Sequence, residues 1–580
     1  HLAGKIKDAK LNLPNSKKVN SINFNFNIND EEYNFENISL EYEKVKIKSK
    51  SLKLIKKNEI YLVKSSFKSE KSSIRPKLLF SLINFDMDLF SNENITFQTN
   101  NKFSFELNKK LKVNKLQFFS KLKFDKLFFN KKYQNLVYFE DGTVETNFSQ
   151  NGLYVDALSK YSFLKDRDSS KINIKNKDDI KLRLSKKVGE DYFIKGNFKN
   201  KKNFINPKIL LDIFKIKVDI LSDKEIEIET DNNFSFKINN KQKINDLKFK
   251  SNLKFDELVI NYDSTFIKKY LKDYKNLVNL RNGTLDINYT TNKVSIAGET
   301  NYALDKKFDN LKFKKLKNNN HYKFETIIQL NSSPLSFNSI DYEKDKNKFS
   351  EIKIEGDYLK DNKINLNYVS YIENKNYFKI DKLKLNQKFK VLDLKKINVN
   401  YINKKKELNN FVISKNKQNY VLLGKSIDST DLINDLLKDK TNKRFLDNFD
   451  NLNTNLDIKI DKVILEKNNY LENFSGKIEF NKNKITSANL VSEFPNKDKF
   501  SFSIKKGNDG QKITALYSDN AEPFVKKFKF IKGFEGGNID FFSIKKNNLS
   551  KSKININKFK VKEVPALATL LSLASLQGIA

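Results

Sequence analysis

Histidine is the side chain that most enzymes use to move protons near neutral pH, and this sequence contains only His1 and His321. His321 follows three asparagines, a composition typical of a turn. A histidine-dependent nucleophile or a His-ligated metal would need further groups at set spacings, and none stands nearby in sequence. Cysteine is absent, which excludes disulfides, thiolate nucleophiles and Cys-based metal sites. We therefore expect no catalytic residue, no metal and no cofactor.

Two further patterns resemble ligand sites but lack the spacing that such sites need. Gly424-Lys425-Ser426 follows an apolar run, yet a phosphate-binding loop needs a glycine five positions before Gly424, where Asn419 stands. Two acidic clusters lack the central glycine of a calcium-binding loop. Their members are Asp447, Asp450 and Asp457 in one, and Glu225, Glu227 and Glu229 in the other. These patterns indicate a protein that is not an enzyme.

The formal charge of +39 raises the question of a nucleic-acid partner. The basic residues are nearly all lysine, spread evenly among asparagine and isoleucine, and only five are arginine, the residue that base and phosphate recognition favours. Solvated strand faces account for this distribution better than a nucleic-acid surface does. We expect no nucleic-acid partner, and a cationic surface near anionic lipid headgroups stays open.

The elements that would position any site are predicted from strict alternation of apolar and polar residues. The four apolar positions from Ile22 to Ile28 alternate with Asn23, Asn25 and Asn27, which places one face of a strand in an apolar environment and the other in water. Turn signals such as Asp141-Gly142 separate the strands. The 49 phenylalanines and 23 tyrosines argue against disorder. The predicted fold class is all-β, an elongated antiparallel repeat with a few short helices.

The chain also repeats itself. Phe103-Ser104-Phe105 recurs as Phe234-Ser235-Phe236, and the match continues without a gap at an offset of 131 residues. Downstream the offset becomes 141, so the second copy holds about ten extra residues near Tyr262–Leu271, where the apolar spacing is helical. We predict five segments: a partial β repeat at 1–75, repeat A at 76–206, repeat B at 207–337, a β linker region at 338–425 and an incomplete C-terminal region at 426–580.

A sheet that is apolar on one face must cover that face, as a sandwich, a helical wrap or a curved trough. With few helices to do so, we favour a curved groove lined by apolar side chains. The candidate groove residues are Ile22, Phe24, Phe26, Ile28, Phe103, Phe105, Phe234 and Phe236.

The segment Val564–Ile579 abandons alternation and carries almost no charge. Pro565 suits the first turn of a helix. Four side chains form one apolar stripe at helical spacing, namely Leu567, Leu570, Leu571 and Ala574. This helix either plugs the end of the β core or has a membrane-facing or gating role, and the sequence leaves both open.

This segment and the strand before it carry a resemblance to a known family. Ile554–Val561, then Val564-Pro565-Ala566-Leu567 and Leu570–Ile579, resemble the C-terminal region of AsmA-like proteins, most closely their large YhdP-type members. Ser518–Ala521 and Gly533–Gly537 occupy the places of two smaller family motifs, although Glu522 stands where the family has glycine. The resemblance is specific over about 420–580.

The resemblance implies a periplasmic protein, anchored in the inner membrane by a segment before His1, that moves phospholipid towards the outer membrane. Its partners would be phospholipid acyl chains and the two membranes. The alternative is a non-enzymatic structural β-repeat protein, such as an adhesin or fibre, whose apolar face is sealed. An open, continuous groove would favour the first, and packing at interior density would favour the second.

Overall fold

The computed structural model confirms the all-β prediction, with 76% of the residues in strands and about 4% in helices. The structure describes residues 1–12, 18–76, 91, 93–128, 137–163, 178–205, 225–239, 241, 243–359, 363–430, 445–466, 469–507, 510–527, 534–546 and 549–561. The chain forms two compact units, one from residues 1–258 and 282–296, the other from 259–281 and 297–580.

Thirteen strands lie wholly in the first unit. They are β1 (Leu2–Asn12), β2 (Lys18–Ile28), β3 (Glu32–Tyr42), β4 (Val45–Lys57), β5 (Ile60–Ser69), β6 (Ser72–Ile74), β7 (Ile95–Leu107), β8 (Val113–Phe128), β9 (Val137–Ser149), β10 (Gly152–Phe163), β11 (Asp178–Lys186), β12 (Tyr192–Ile205) and β13 (Ile226–Ile238). Three strands contribute residues to both units, β14 (Ile244–Asn261), β15 (Leu277–Thr290) and β16 (Lys293–Ala303).

The second unit contains the remaining strands. They are β17 (Asp309–Asn318), β18 (His321–Gln329), β19 (Leu335–Phe337), β20 (Tyr342–Lys344), β21 (Glu351–Leu359), β22 (Ile364–Glu373), β23 (Asn376–Leu385), β24 (Val391–Ile402), β25 (Leu408–Asn416), β26 (Asn419–Asp428), β27 (Thr454–Glu466), β28 (Asn469–Asn481), β29 (Lys484–Glu493), β30 (Lys499–Lys506), β31 (Lys512–Ser518), β32 (Phe534–Lys546) and β33 (Leu549–Val561).

Helices are short and few in the described chain. Helix α1 (Thr265–Tyr270) forms within the ten-residue insertion, where the sequence spacing predicts it. The Ser264 hydroxyl caps its first turn by accepting a hydrogen bond from the Ile267 amide at 3.2 Å. Helix α2 is Glu522–Lys527, and 3₁₀ turns occupy Asn338–Ile340 and Phe445–Asn448.

In the first unit, strands that follow one another in the chain pair antiparallel, and short β6 pairs with β7 beside β5. Burial alternates along several of these strands, as the sequence predicts. In β11, for example, Lys181 and Arg183 are exposed, whereas Ile180, Leu182 and Leu184 are half-buried. We call the apolar face of each unit its inner face.

Strand pairing repeats at the sequence offset of 131 residues. Both copies also place a register shift directly after the serine of the Phe-Ser-Phe motif, at Ser104 and at Ser235. Phe103 and Phe234 therefore occupy equivalent positions, and the equivalence extends upstream of residues 76 and 207, where the sequence analysis places the starts of repeats A and B. The equivalent cross-strand pairs are Ser65–Phe103 and Gly196–Phe234, Phe103–Phe118 and Phe234–Phe249, and Phe97–Phe124 and Ile228–Phe255.

In the second unit, β17, β18 and then β21 to β33 pair in succession. All these pairs are antiparallel except β26–β27, which is parallel. Strands β19 and β20 form a separate hairpin. Tyr342 of this hairpin packs on Tyr371 and Val399 of the main sheet, so the hairpin covers part of the inner face.

At five places among the described strands, a phenylalanine ring lies over a glycine of the neighbouring strand. A Cβ atom on Gly142 would lie 2.0 Å from Cζ of Phe124, a distance that no real contact allows. Glycine therefore lets the ring lie flat along the sheet, and the ring in turn covers the exposed glycine backbone. The five pairs are Gly4–Phe26, Gly142–Phe124, Gly196–Phe234, Gly283–Phe255 and Gly356–Phe324.

We predict that Gly142→Ala destabilises the first unit by about 1–3 kcal/mol, the range expected for overpacking. Phe124→Leu frees the space above Gly142, so the double variant Gly142→Ala/Phe124→Leu should lose less stability than the two single variants combined. Hydrogen exchange of the β8 and β9 amides measures each loss. Strictly additive losses would show that ring and glycine are not coupled.

Candidate functional site

Nine strands of the first unit place directly opposed inner-face residues in one line, which we call the first row. Phe148 is 38% exposed and the other members are half-buried. Aromatic rings dominate this line, and Ser65 is its one polar member. The first row is Gly4, Phe26, Phe35, Leu52, Ser65, Phe103, Phe118, Phe148 and Leu153.

A second row crosses strands β7 to β14 on the same face. Every member is half-buried, and only the first carries a polar group on its side chain. The second row is Thr99, Leu122, Val144, Ala157, Leu182, Gly196, Phe234 and Phe249.

Along a single strand, the inner face changes from buried to half-buried at a polar residue. In β13, Ile226 and Ile228 are buried, Asn232 follows, Phe234 and Phe236 beyond it are half-buried, and Ile238 at the strand end is buried again. Strand β7 shows the same order at the repeat offset, with Asn101 as its buried polar residue. The inner face of the first unit thus has a closed section and an open section on the same strands.

The polar residues between these sections are satisfied by hydrogen bonds. The Asn232 amide donates to the Thr230 hydroxyl at 2.7 Å and to the Phe198 carbonyl at 3.3 Å, and its oxygen accepts from the Ser251 hydroxyl at 2.6 Å. Asn101 donates in the same way to Thr99 and to the Phe67 carbonyl. Because a buried polar group without a partner is costly, these bonds hold the boundary at one position along the strand.

The second unit carries the longest row. It crosses fourteen strands, β18 and β21 to β33, and all its members are half-buried except Leu490 and Phe541, which are buried. At the usual spacing of paired strands it is roughly 60 Å long. The row is Thr326, Ile354, Val369, Ile380, Ile397, Ile413, Leu422, Ile458, Gly476, Leu490, Phe502, Leu516, Phe541 and Ile554.

On one side of this row the inner face of the second unit is closed. The β19–β20 hairpin buries Tyr342 completely. The Tyr342 hydroxyl is hydrogen-bonded to the Tyr371 hydroxyl at 2.9 Å, and it donates a hydrogen bond to the Glu373 carboxylate. Lys344 of the same hairpin is also fully buried, and its ammonium donates to the Leu330 carbonyl at 2.6 Å. Helix α2 closes a further part, where Val525 packs against the sheet.

Burial perturbs the titratable groups under the hairpin. It lowers the pKa of the Lys344 ammonium, and the carboxylates of Asp309 and Glu373 oppose that shift. Burial also raises the pKa of the Tyr342 hydroxyl, and its bonds to Glu373 and Tyr371 raise it further. These groups bond to one another and to backbone, so their arrangement accounts for a fixed hairpin rather than for proton transfer.

All eight predicted groove residues are half-buried strand residues. Phe26 and Phe103 belong to the first row and Phe234 to the second. Phe105 stacks on Phe103 at 5.8 Å, and Phe236 stacks on Phe234 at 6.2 Å. Phe24 contacts Phe35 edge to face at 5.5 Å, and Ile22 and Ile28 lie on the same strand. The predicted helix stripe of Leu567, Leu570, Leu571 and Ala574 lies outside the described residues.

Sequence reasoning named no groove residue in 338–425, which it treats as a linker region. Six strands of that segment, β21 to β26, contribute to the second unit's row. Alternation such as Ile352-Lys353-Ile354 was the available signal. It shows which side chains share a face, whereas their alignment across strands depends on register.

The ligand-like patterns of the sequence lie in ordinary strand contexts. Gly424 is in β26, paired with Phe411. Glu227 pairs with Lys202 at 3.5 Å, and Asp450 accepts from the Asn386 amide at 2.9 Å. In the part of the chain that the structure describes, no three His, Asp or Glu side chains are grouped to hold a metal ion.

Comparison with known proteins does not identify a family for this chain. No protein-family model matches the chain, and no curated protein matches its sequence. Within the described ranges, no helix combines the length and apolar character that crossing a membrane requires.

We predict that Ser251→Ala destabilises β13 and β14 by about 1–3 kcal/mol, because it removes the donor that satisfies the buried Asn232 oxygen. Hydrogen exchange of the β13 and β14 amides measures the change. The matched control is Ser235→Ala on the opposite face of β13, which should change stability by less than about 0.5 kcal/mol. Equal effects of the two variants would show that the Asn232 bond does not hold the boundary.

Proposed function

We propose that the half-buried rows bind phospholipid acyl chains, and that the protein supports phospholipid transport between the membranes of a bacterial envelope. The observation that carries this proposal is the row of the second unit, which continues over fourteen strands without a charged residue. A soluble protein rarely leaves so long an apolar strip partly open to water unless something binds there.

The chemistry of the rows suits movement better than tight retention. Burying one methylene group contributes about 0.8 kcal/mol, so an acyl chain gains from any apolar strip that it covers. Successive positions such as Ile380, Ile397 and Ile413 offer nearly the same surface. A lipid can therefore shift by one strand with little change in free energy, while its headgroup stays in water.

The proposed location follows from the family resemblance. Strand β33 contains the Ile554–Val561 part of the motif, and Ile554 is the last member of the second unit's row. AsmA-like proteins are periplasmic and anchored in the inner membrane, and we propose the same location for this protein. Phospholipid acyl chains and the membranes are then its partners.

The closed section under the β19–β20 hairpin favours the alternative, a structural β-repeat protein with a sealed apolar face. Such a protein would have its inner face packed throughout. The half-buried residues Phe103 and Phe234 and the row through Ile397 favour the lipid-binding function instead.

We predict that a photo-crosslinking amino acid at Phe105 or Phe236 captures phospholipid from cells, whereas one at Ser104 or Ser235 does not. The two serines neighbour these phenylalanines but project from the opposite face of the same strands, which makes them matched controls. Mass spectrometry of the crosslinked protein identifies the adduct.

Capture at all four positions would indicate nonspecific contact with membrane. Capture at none of them would favour the sealed structural protein.

A further inference from the structure

Two lysines lie at the rim of the second unit's inner face, where the apolar rows would otherwise continue. Lys315 is paired directly with Phe324, and Lys317 with Tyr322, so both lysines project from the apolar face of β17. Both side chains are exposed. The same strand carries Phe313 on this face, paired with Thr326 of the long row.

The lysines stand over a pair of stacked tyrosines. The rings of Tyr322 and Tyr358 are 4.5 Å apart and nearly parallel, at 2°. The Lys315 ammonium lies 5.5 Å from the Tyr322 ring and 5.9 Å from the Tyr358 ring, and the Lys317 ammonium lies 5.5 Å from the Tyr322 ring. The aromatic faces thus hold both cations at one place above the sheet.

An apolar pocket of about 400 Å³ lies beside this pair. Phe324, Tyr358, Ile364 and Gln387 line it. Phe324 lies flat over Gly356, where an added Cβ would meet its ring at 2.8 Å. Glycine at position 356 therefore leaves room for the Phe324 ring, which lines the pocket.

Neither rim lysine has a carboxylate partner among the described residues, although nearby lysines do. Lys312 pairs with Glu299 at 3.0 Å, and Lys353 pairs with Glu355 at 2.6 Å. Two cations without counter-ions, next to an apolar pocket that adjoins the long row, match a ligand that is anionic at one end and apolar at the other.

We propose that this rim binds one phospholipid with a net-negative headgroup. Its phosphate lies between Lys315 and Lys317, and the first part of an acyl chain enters the pocket against Phe324, Tyr358 and Ile364. This inference rests on the proposed function and adds a headgroup preference to it. A soluble anion would use the lysines but would leave the pocket empty.

The test compares the full chain with the variant Lys315→Gln/Lys317→Gln. Each protein is incubated with vesicles of phosphatidylglycerol or of phosphatidylcholine, and the bound lipid is quantified after separation. A lysine near an anionic lipid surface contributes about 1 kcal/mol. The double variant should therefore lose about thirtyfold in its affinity for phosphatidylglycerol, the ratio that corresponds to about 2 kcal/mol for two lysines. Its affinity for phosphatidylcholine should fall much less, because the choline cation offsets the charge of that phosphate.

The matched control is Lys314→Gln/Lys323→Gln, which removes the same charge from the opposite face of β17 and its neighbour β18. It should keep the preference. An equal loss in both variants would show a general effect of charge and overturn the rim site. If the Lys315→Gln/Lys317→Gln variant keeps its preference for phosphatidylglycerol, the rim site is also overturned. In that case the protein still binds lipid, and the proposed function is not affected.

Two further measurements separate the remaining outcomes. Gly356→Val should weaken binding of both lipids at the rim, because the added side chain would displace the Phe324 ring that lines the pocket. Inorganic phosphate that displaces the lipid at equal concentration would overturn the proposal in favour of a simple anion site. Absence of lipid binding by the unmodified protein would overturn the rim site and the proposed function together.

Discussion

Cross-strand register is the constraint on which the rest of this structure depends. Side chains alternate between the two faces of a strand, so a slip of one residue would move every apolar side chain into water. In the second unit, fourteen strands keep one uncharged residue directly opposite the next, and all but Thr326 are apolar or glycine. The register shifts fall at the same places in both sequence copies, after Ser104 and Ser235. The matched shifts keep the two copies in the same cross-strand register.

The inner faces combine closed and open sections, and polar side chains mark the change. Asn232 and Asn101 are buried and their side-chain amides donate hydrogen bonds, which fixes the position of each residue along its strand. In the second unit the β19–β20 hairpin covers part of the inner face, and its side chains Tyr342 and Lys344 are buried there. A uniformly apolar face would collapse or aggregate, whereas these bonded groups leave a bounded strip half-exposed.

Glycine and lysine adjust the shape and charge of that strip. Glycine opposite phenylalanine lets a large ring lie along the sheet instead of projecting from it, as Phe324 does over Gly356. Lysine lies mainly on the outer face, as Lys181 does in β11. Lys315 and Lys317 depart from this pattern and place charge on the inner side, next to aromatic rings. The positive charge of these two lysines would attract an anionic group on a ligand bound to the inner face.

The sequence by itself determined the all-β class, the face on which each strand residue lies and helix α1, because these follow from local periodicity. It also determined the duplication, because the match at an offset of 131 residues is visible when the sequence is compared with itself. It also indicated that Phe103 and Phe234 are equivalent. Only the tertiary structure decided which residues meet across strands, that the segment 338–425 carries part of the longest row, and that the hairpin from Leu335 to Lys344 covers one section of the inner face. Those features depend on pairing and on contacts between residues far apart in the chain, such as Tyr342 with Tyr401, and local alternation contains no information about either.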